Sequence, residues 1–241
     1  MTPAKSLQYN TIYNVMNTPI SMWPWPHLRL NNIFPELLYK KIIENIPDET
    51  EITGSYKNKN DDNYQQNRYF LSDDDIEGLK ISKKNFWKNF KIMMTDGNLK
   101  HHILNKIKHI VIADRNKNIF ESDKNIKIYD TCNLTLDLPG FGLSPHTDVS
   151  EKIFTFIINL PQKHSNLNLG TNIISGPKIK EYNDNFNTNY EKYELCDKIK
   201  FSENSALGVI KTKNSWHSLD IIEENRWTIQ YTIWAKPKND T

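Results

Sequence analysis

The spacing of apolar and polar side chains changes character near residue 126, and the chain before that point has a helical texture. Apolar residues recur at helical spacing directly after Pro35, a residue favoured in the first turn of a helix. Residues 72–111 show the same spacing, which predicts further helices. The first 22 residues show no such period and are expected to form an irregular arm. Residues 55–68 are polar and aperiodic, which predicts a loop or lid.

After residue 126, short β-type runs alternate with turn residues. The predicted strands are 126–137, 152–160, 171–179, 198–201, 205–212, 214–220 and 226–235, with an earlier short strand at 27–30. Many short strands at regular spacing are typical of a sandwich or a barrel. We therefore expect a single domain of the α+β, mainly β, class. Residues 1–125 would form its N-terminal arm and helical support, and residues 126–236 its β core.

Composition and charge narrow the functional classes. The 241 residues are 37% hydrophobic and 25% charged, which fits a folded globular chain. The net charge of +2 carries no concentrated basic patch, so no obligatory nucleic-acid partner is expected. Apolar runs are too short for a membrane span or a signal peptide, and two cysteines build no disulfide framework, so we expect a cytoplasmic protein. Trp23 and Trp25 are expected to pack against the core.

The eight glycines form none of the common nucleotide-binding loops, which leaves a metal, a non-nucleotide ligand or a binding role. His146 and Asp148 are the first candidates, because residues i and i+2 of an extended segment face the same side. His217 is the candidate third ligand. Two histidines and one carboxylate form the facial triad of non-haem Fe(II) oxygenases. The His-x-Asp pair alone is a weak signal.

Arg226 strengthens this interpretation. It begins an alternating segment in which Arg226, Thr228 and Gln230 share one face. An arginine that points into a barrel is costly to bury unless it meets an anion. A dicarboxylate bound at the metal would supply that anion with bidentate geometry.

With these residues in this order, the sequence resembles the 2-oxoglutarate- and Fe(II)-dependent dioxygenase superfamily. The resemblance covers roughly residues 24–50 and 126–235. The segments that carry it are WPH at 25–27, LSPHTD at 143–148, FTFIINLP at 154–161, GT at 170–171, NS at 204–205, SWHS at 215–218 and RWT at 226–228.

The resemblance implies a fold, a cofactor and roles for particular residues. The fold would be a double-stranded β-helix (jelly roll) with the N-terminal helices packed on the larger sheet. His146, Asp148 and His217 would bind Fe(II) and form the catalytic centre. The positions implied for binding 2-oxoglutarate, the co-substrate, are Arg226, Thr228, Thr155 and Lys152. For Lys152 and Thr155, a surface lysine and an ordinary strand threonine remain alternative interpretations.

The function implied is a dioxygenase that hydroxylates a polar substrate such as a sugar, an amino acid or a peptide side chain. Its partners would be that small-molecule or peptide substrate and O2, with no membrane, in a monomer or a homodimer. A barrel that keeps the metal but only binds or senses a ligand is the alternative, and a structural or assembly protein is a third. The loops 55–68 and 181–197 are expected to form the rim of the cavity.

Overall fold

The structure is a computed structural model that describes residues 3–55, 67–116, 119–120, 126–162, 166–176 and 193–238. Its helices are α1 (Pro3–Asn17), α2 (Glu36–Glu44), α3 (Asp73–Gly78), α4 (Ile81–Thr95) and α5 (Asn98–Arg115), with a 3-10 turn at Glu49–Glu51. Its strands are β1 (Ile20–Ser21), β2 (His27–Leu30), β3 (Gly54–Ser55), β4 (Arg68–Phe70), β5 (Ile126–Asp137), β6 (Leu143–His146), β7 (Lys152–Asn159), β8 (Asn172–Ser175), β9 (Glu194–Lys198), β10 (Ala206–Ile210), β11 (His217–Leu219) and β12 (Arg226–Pro237).

In the described part of the chain, the strands form two antiparallel sheets. The larger has the order β1-β2-β10-β7-β12-β5-β4-β3, and the smaller has the order β6-β11-β8-β9. In the core of the larger sheet, β12 pairs with β5 on one side and β7 on the other. The predicted jelly roll is confirmed. Four strands from the N-terminal half extend it at both edges.

The helices cover the outer face of the larger sheet. Alternation along β5 turns Cys132, Leu134 and Leu136 outward, where they join one core with Trp87 and Ile103 from the helices. The opposite face of β5 carries Asn133, Thr135 and Asp137 and looks toward the smaller sheet. This polar inner face is the wall on which the candidate site is built.

Residues 3–22 do not form the irregular arm that was predicted for the first 22 residues. Residues 3–17 form α1, whose buried side includes Gln8, Thr11, Ile12 and Val15. These positions follow helical spacing, but two of them are polar, so the apolar period was too weak to predict the helix. The Gln8 side chain donates to the carbonyl of Met93 at 2.6 Å, and that bond ties α1 to α4.

The strand predicted at 198–201 lies earlier, at β9. Ile199 and Phe201 are buried, but their backbone N–H groups bond to Thr171 and Leu167 outside the ladder. Their alternation therefore indicated burial and not strand pairing. Of the two predicted rim loops, 55–68 and 181–197, residues 56–66 and 181–192 lie outside the described residues. At the edges of those loops the structure has strands, β3 and β4 at the first and β9 at the second.

Trp25 and Trp23 differ in burial. Trp25 is buried as expected, whereas Trp23 is 66% exposed, so the expectation for Trp23 was wrong. The Trp25 side chain reaches the smaller sheet, and its indole N–H is shared between the carbonyls of Ile174 and Trp216. Among the described helices, none combines the length and the apolar character that crossing a bilayer requires.

Candidate metal centre

The pairing of β6 with β11 brings two of the candidate ligands together. His146 and His217 lie directly opposite each other in the antiparallel register, and their ring centroids are 4.4 Å apart. Asp148 follows β6 by two residues. One ligand atom from each of these three buried residues lies within 4.8 Å of the others. The described residues therefore bring the predicted His-Asp-His group together within the reach of one metal ion.

Backbone carbonyls hold both imidazoles in a metal-binding orientation. Nδ1 of His146 is 2.8 Å from the carbonyl oxygen of Ser144, and Nδ1 of His217 is 3.0 Å from that of Ser215. An oxygen acceptor at that distance selects the tautomer with the proton on Nδ1, which leaves the Nε2 lone pair available as a ligand. The smaller sheet thus fixes the tautomer and the ring orientation.

The carboxylate of Asp148 is held in its ionised form. Burial acts to raise its pKa, but Lys152, His217 and His146 act in the opposite direction and bring the pKa well below its usual range. The Lys152 ammonium donates to Oδ1 at 2.6 Å, and the Thr155 hydroxyl lies 3.5 Å from Oδ2. Lys152 and Thr155, predicted near the co-substrate, therefore contact a predicted metal ligand.

The two histidines are held neutral. Burial is the largest cause and lowers the pKa of His146 to about 3, with His217 adding to the effect. Burial also lowers the pKa of His217, against the opposing effect of Asp148. A neutral imidazole is the form that binds a metal. The sign of both shifts suits a site that takes a cation.

A buried lysine beside the ligands was missed in the sequence. Lys211 follows β10 and is 1% exposed, and its ammonium donates to the Thr147 hydroxyl at 2.9 Å. Thr147 lies between the two ligands of the β6 segment. Lys211 therefore holds Thr147, the residue that separates His146 from Asp148. Its burial gave no signal in the sequence, because Lys211 sits between ordinary strand and turn residues.

Arg226 is buried in the same cavity and has a protein partner that the sequence interpretation did not include. Its Nη1 donates to Oδ2 of Asp137 at 2.8 Å, and its Nε donates to the carbonyl of Leu169 at 2.8 Å. Arg68 approaches the other carboxylate oxygen, with Nε 3.1 Å from Oδ1. Burial lowers the pKa of Arg226, Asp137 opposes this, and Arg68 adds to it.

Two buried threonine hydroxyls lie near Arg226 on the inner face of the larger sheet. Thr228 on β12 lies opposite Thr135 on β5, and neither Oγ1 has a hydrogen-bond partner among the described residues. A buried hydroxyl without a partner costs free energy that an oxygen-rich ligand would recover. These orphan groups, with the guanidinium beside them, fit a bound carboxylate. The two imidazoles and Asp148 likewise fit Fe(II).

The cavity therefore gathers most of the predicted site residues. Its lining includes His146, Asp148, His217, Lys152, Thr155 and Arg226. Thr228, between Arg226 and Gln230 on β12, is fully buried and is not among the described residues that line the cavity. Arg68 also lines the cavity. It was not selected from the sequence, because it belongs to a polar stretch that was predicted to be a loop.

Comparisons with known proteins agree with this architecture. No protein-family model and no curated protein matches the sequence. A prolyl-4-hydroxylase of Pseudomonas putida matches with a TM-score of 0.51 and 8% identity, over 95% of this chain and 98% of that one. A prolyl hydroxylase of Trichoplax adhaerens, in complex with a hypoxia inducible factor peptide fragment, gives 0.53 and 10% over 96% and 90%. The alpha ketoglutarate dependent epimerase SnoN gives 0.50 and 8% over 99% and 86%.

The chain has the fold of the 2-oxoglutarate- and Fe(II)-dependent oxygenases. The resemblance seen in the sequence is thereby confirmed at the level of fold, and the His-Asp-His group lies inside that fold. At identities of 8% and 10% the similarity concerns architecture alone.

Proposed function

We propose that this chain is an Fe(II)- and 2-oxoglutarate-dependent oxygenase that hydroxylates a polar substrate. One observation carries the proposal. Two neutral imidazoles and an ionised carboxylate converge in the same cavity as a buried guanidinium. The first group is a donor set for Fe(II), and the guanidinium is a donor for the far carboxylate of a dicarboxylate bound at that metal.

Different residues of the cavity would bind the metal and the co-substrate. His146, Asp148 and His217 would hold the iron, and Arg226 with Thr228 would hold the distal carboxylate of 2-oxoglutarate. Bound there, iron supplies the oxidising chemistry, in which O2 and 2-oxoglutarate yield succinate, CO2 and a hydroxylated substrate. Lys152 and Thr155 would keep Asp148 ionised and oriented. His146, Asp148, His217 and Arg226 are all buried, and burial strengthens the electrostatic contacts among them.

The side chains on the inner face of the larger sheet favour a polar substrate. Beyond Gln230, it continues to the half-buried pair Tyr129 and Trp234, whose rings stack with centroids 6.4 Å apart. Lys236 lies 5.3 Å and Lys152 5.6 Å from the centroid of the Trp234 ring. A stacked aromatic pair flanked by ammonium groups suits a ligand with polar or anionic substituents better than a hydrocarbon. The hydroxylation of such a ligand is part of the proposal.

The test separates iron chelation from turnover. Fe(II) and 2-oxoglutarate are added without oxygen, and the charge-transfer absorption of the chelate is recorded. Oxygen is then admitted and succinate is measured. We expect both signals in the natural chain and neither in His146→Ala or His217→Ala, because three ligands are the minimum for this facial geometry. His101→Ala, on the exposed side of α5, is the matched control and should retain both.

Each outcome has a clear meaning. Thermal unfolding of the variants establishes that they are folded. Succinate formation near the natural rate in either ligand variant would refute the assignment. Chelation without succinate, even with broad mixtures of sugars, amino acids and peptides, would also contradict the oxygenase and would favour a barrel that binds or senses its ligand.

A further inference from the structure

The buried wall of the cavity holds a row of three charged side chains from three neighbouring strands. Asp137 on β5 lies opposite Arg226 of β12 on one side and opposite Arg68 of β4 on the other. Its two carboxylate oxygens face different guanidiniums, at 2.8 Å from Arg226 Nη1 and 3.1 Å from Arg68 Nε. The side chain of Asp137 is 0% exposed, and both arginines line the cavity.

All three side chains have restricted positions. Arg226 is also fixed by the Leu169 carbonyl and lies over the ring of Phe201, 5.5 Å from its centroid. Arg68 lies over the ring of Phe141, 4.8 Å from its centroid. Planar guanidiniums stacked on aromatic rings lose little further freedom when they bind a carboxylate. The row is therefore organised before any ligand arrives.

The net charge of these three side chains favours the binding of an anion in the cavity. Two guanidiniums that share one buried carboxylate repel each other, and Arg68 is among the groups that lower the pKa of Arg226. An Arg226–Asp137 pair alone would offer an incoming carboxylate attraction and repulsion of similar size, because Asp137 is itself an anion. With a second guanidinium beside Asp137, the attraction exceeds the repulsion, and binding of an anion in the cavity becomes favourable.

We propose that Arg68 is a second anchor for the distal carboxylate of 2-oxoglutarate. Asp137, which lies between Arg68 and Arg226, is then the positioning residue that holds both guanidiniums. This inference rests on the proposed function. It adds that the co-substrate site is completed by β4, a strand from the N-terminal half. Recognition of a dicarboxylate would then depend on two arginines.

A purely structural Arg68 makes different predictions. It would hold β4 against the larger sheet, and its loss would lower stability without regard to the ligand. The two roles are separated by comparing 2-oxoglutarate with 2-oxopentanoate, which has the same metal-chelating end but carries a methyl group where the distal carboxylate would be. Only a residue that binds the distal carboxylate changes the ratio of the two affinities.

Calorimetric titration of the Fe(II)-loaded protein without oxygen measures both dissociation constants. We expect Arg68→Gln to weaken 2-oxoglutarate binding about 10- to 100-fold, as expected for the loss of a charge-assisted hydrogen bond. The affinity for 2-oxopentanoate should stay within about twofold, because this keto acid has no distal carboxylate. Arg68→Lys should fall between, since lysine keeps the charge and loses the planar fork.

A double variant tests the role of Asp137. In Arg68→Gln, Asp137 still competes with the ligand for Arg226. In Arg68→Gln/Asp137→Asn that competing charge is absent, so 2-oxoglutarate affinity should recover by about tenfold relative to Arg68→Gln. An unchanged 2-oxoglutarate affinity in the double variant would show that Asp137 does not compete with the ligand for Arg226, and would overturn the role proposed for Asp137.

Arg226→Ala makes the two proposals distinguishable. It should weaken 2-oxoglutarate binding by roughly 30- to several-thousand-fold while leaving Fe(II) affinity nearly unchanged. If the natural chain does not prefer 2-oxoglutarate to 2-oxopentanoate and Arg226→Ala changes nothing, the proposed function fails. If Arg226→Ala removes the preference and Arg68→Gln keeps it, the role of Arg68 alone is overturned. Loss of both affinities in Arg68→Gln would likewise overturn it, in favour of a structural role.

Discussion

At the scale of single residues, the inner face of the larger sheet carries polar groups at a cost to the stability of the protein. Thr228 and Thr135 are fully buried, and their hydroxyls have no partner among the described residues. An interior position of a β-strand would ordinarily hold valine, which has the same shape. Groups that stay unpaired in a folded protein are explained when a ligand satisfies them.

Thr228→Val should therefore have two opposite effects. Without ligands, stability in urea should rise by about 1 kcal/mol, because a buried unpaired hydroxyl is replaced by a methyl group. Binding of 2-oxoglutarate to the Fe(II)-loaded protein should weaken several-fold. Thr135→Val, directly opposite, is the matched control for stability and should show a similar gain. A fall in stability for Thr228→Val would contradict this account.

Sequence reasoning could find the candidate ligands but not the groups that orient them. His146, Asp148 and His217 belong to a motif with recognisable neighbours, so the resemblance located them. Asp137 and Arg68 meet only because β4, β5 and β12 pair in one register. Because these residues are far apart along the chain, no local sequence pattern predicts that they meet. The sequence analysis considered only a bound dicarboxylate as the anion that pairs with Arg226.

At the scale of elements, short helices depend on capping contacts. Ser72 is the N-cap of α3, and its hydroxyl accepts from the backbone N–H of Asp75. The Asp75 carboxylate in turn accepts from the backbone N–H of Ser72 and from the Thr53 hydroxyl. A serine followed by three aspartates at 72–75 is a capping signal that is visible in the sequence. It did not predict the bond to Thr53, which joins α3 to the segment before β3.

Asp75 should make stability depend on pH in acid. Partial burial acts to raise its pKa, but bonds from Thr53 and Ser72 outweigh it and lower the pKa to about 2, from an ordinary value of 3.8. Its contribution is therefore present above pH 4 and is lost as the pH falls from about 4 to about 2. Because the group is partly exposed, we expect Asp75→Asn to cost about 1 kcal/mol at pH 7.

Urea unfolding at pH 7 and near pH 2 measures this effect. The difference between the natural chain and Asp75→Asn should shrink in acid, as the carboxylate becomes protonated. Asp74→Asn, at the preceding and exposed position of the same helix, is the control and should change stability little. An equal cost at both pH values would show that the charge of Asp75 does not contribute.

A buried glycine shows how closely the elements approach beside the site. A Cβ atom placed on Gly170 would lie 1.4 Å from the carbonyl oxygen of Ile199, so a side chain at this position requires the backbone to move. Thr171, the next residue, lines the cavity. The sequence identified this Gly-Thr pair by resemblance. Its physical reason, the contact with the segment after β9, is visible only in the fold.

At the scale of the whole molecule, the N-terminal segment is part of the barrel. β2 pairs with β10, and the Asn204 side chain bonds both the N–H and the carbonyl of Phe34. The sequence predicted the strand at 27–30 and the helices that follow it, because their periods are local, and the family resemblance implied that the helices pack on the larger sheet. It did not predict β1, β3 or β4, which are too short to show a period. That the whole chain is one domain remains a prediction.

Trp25 connects this segment to the candidate metal centre. Its indole N–H lies 3.1 Å from the Ile174 carbonyl and 3.0 Å from the Trp216 carbonyl, and its ring centroid is 6.4 Å from that of His217. The N-terminal segment thus supports, through one buried side chain, the strand that presents the third candidate ligand. Substitution of Trp25 should therefore change both the stability of the fold and the binding of a metal ion by His217.

Trp25→Phe should lower the free energy of unfolding by about 2 kcal/mol, because two buried carbonyls lose a donor and the smaller ring leaves a cavity. The same variant should bind Fe(II) more weakly than the natural chain, since the backbone beside His217 loses a fixed contact. Urea unfolding and anaerobic metal titration measure the two effects. Trp23→Phe, two residues earlier and 66% exposed, is the matched control and should leave both unchanged. A destabilised Trp25→Phe protein with natural Fe(II) affinity would show that the N-terminal segment supports the fold without supporting the centre.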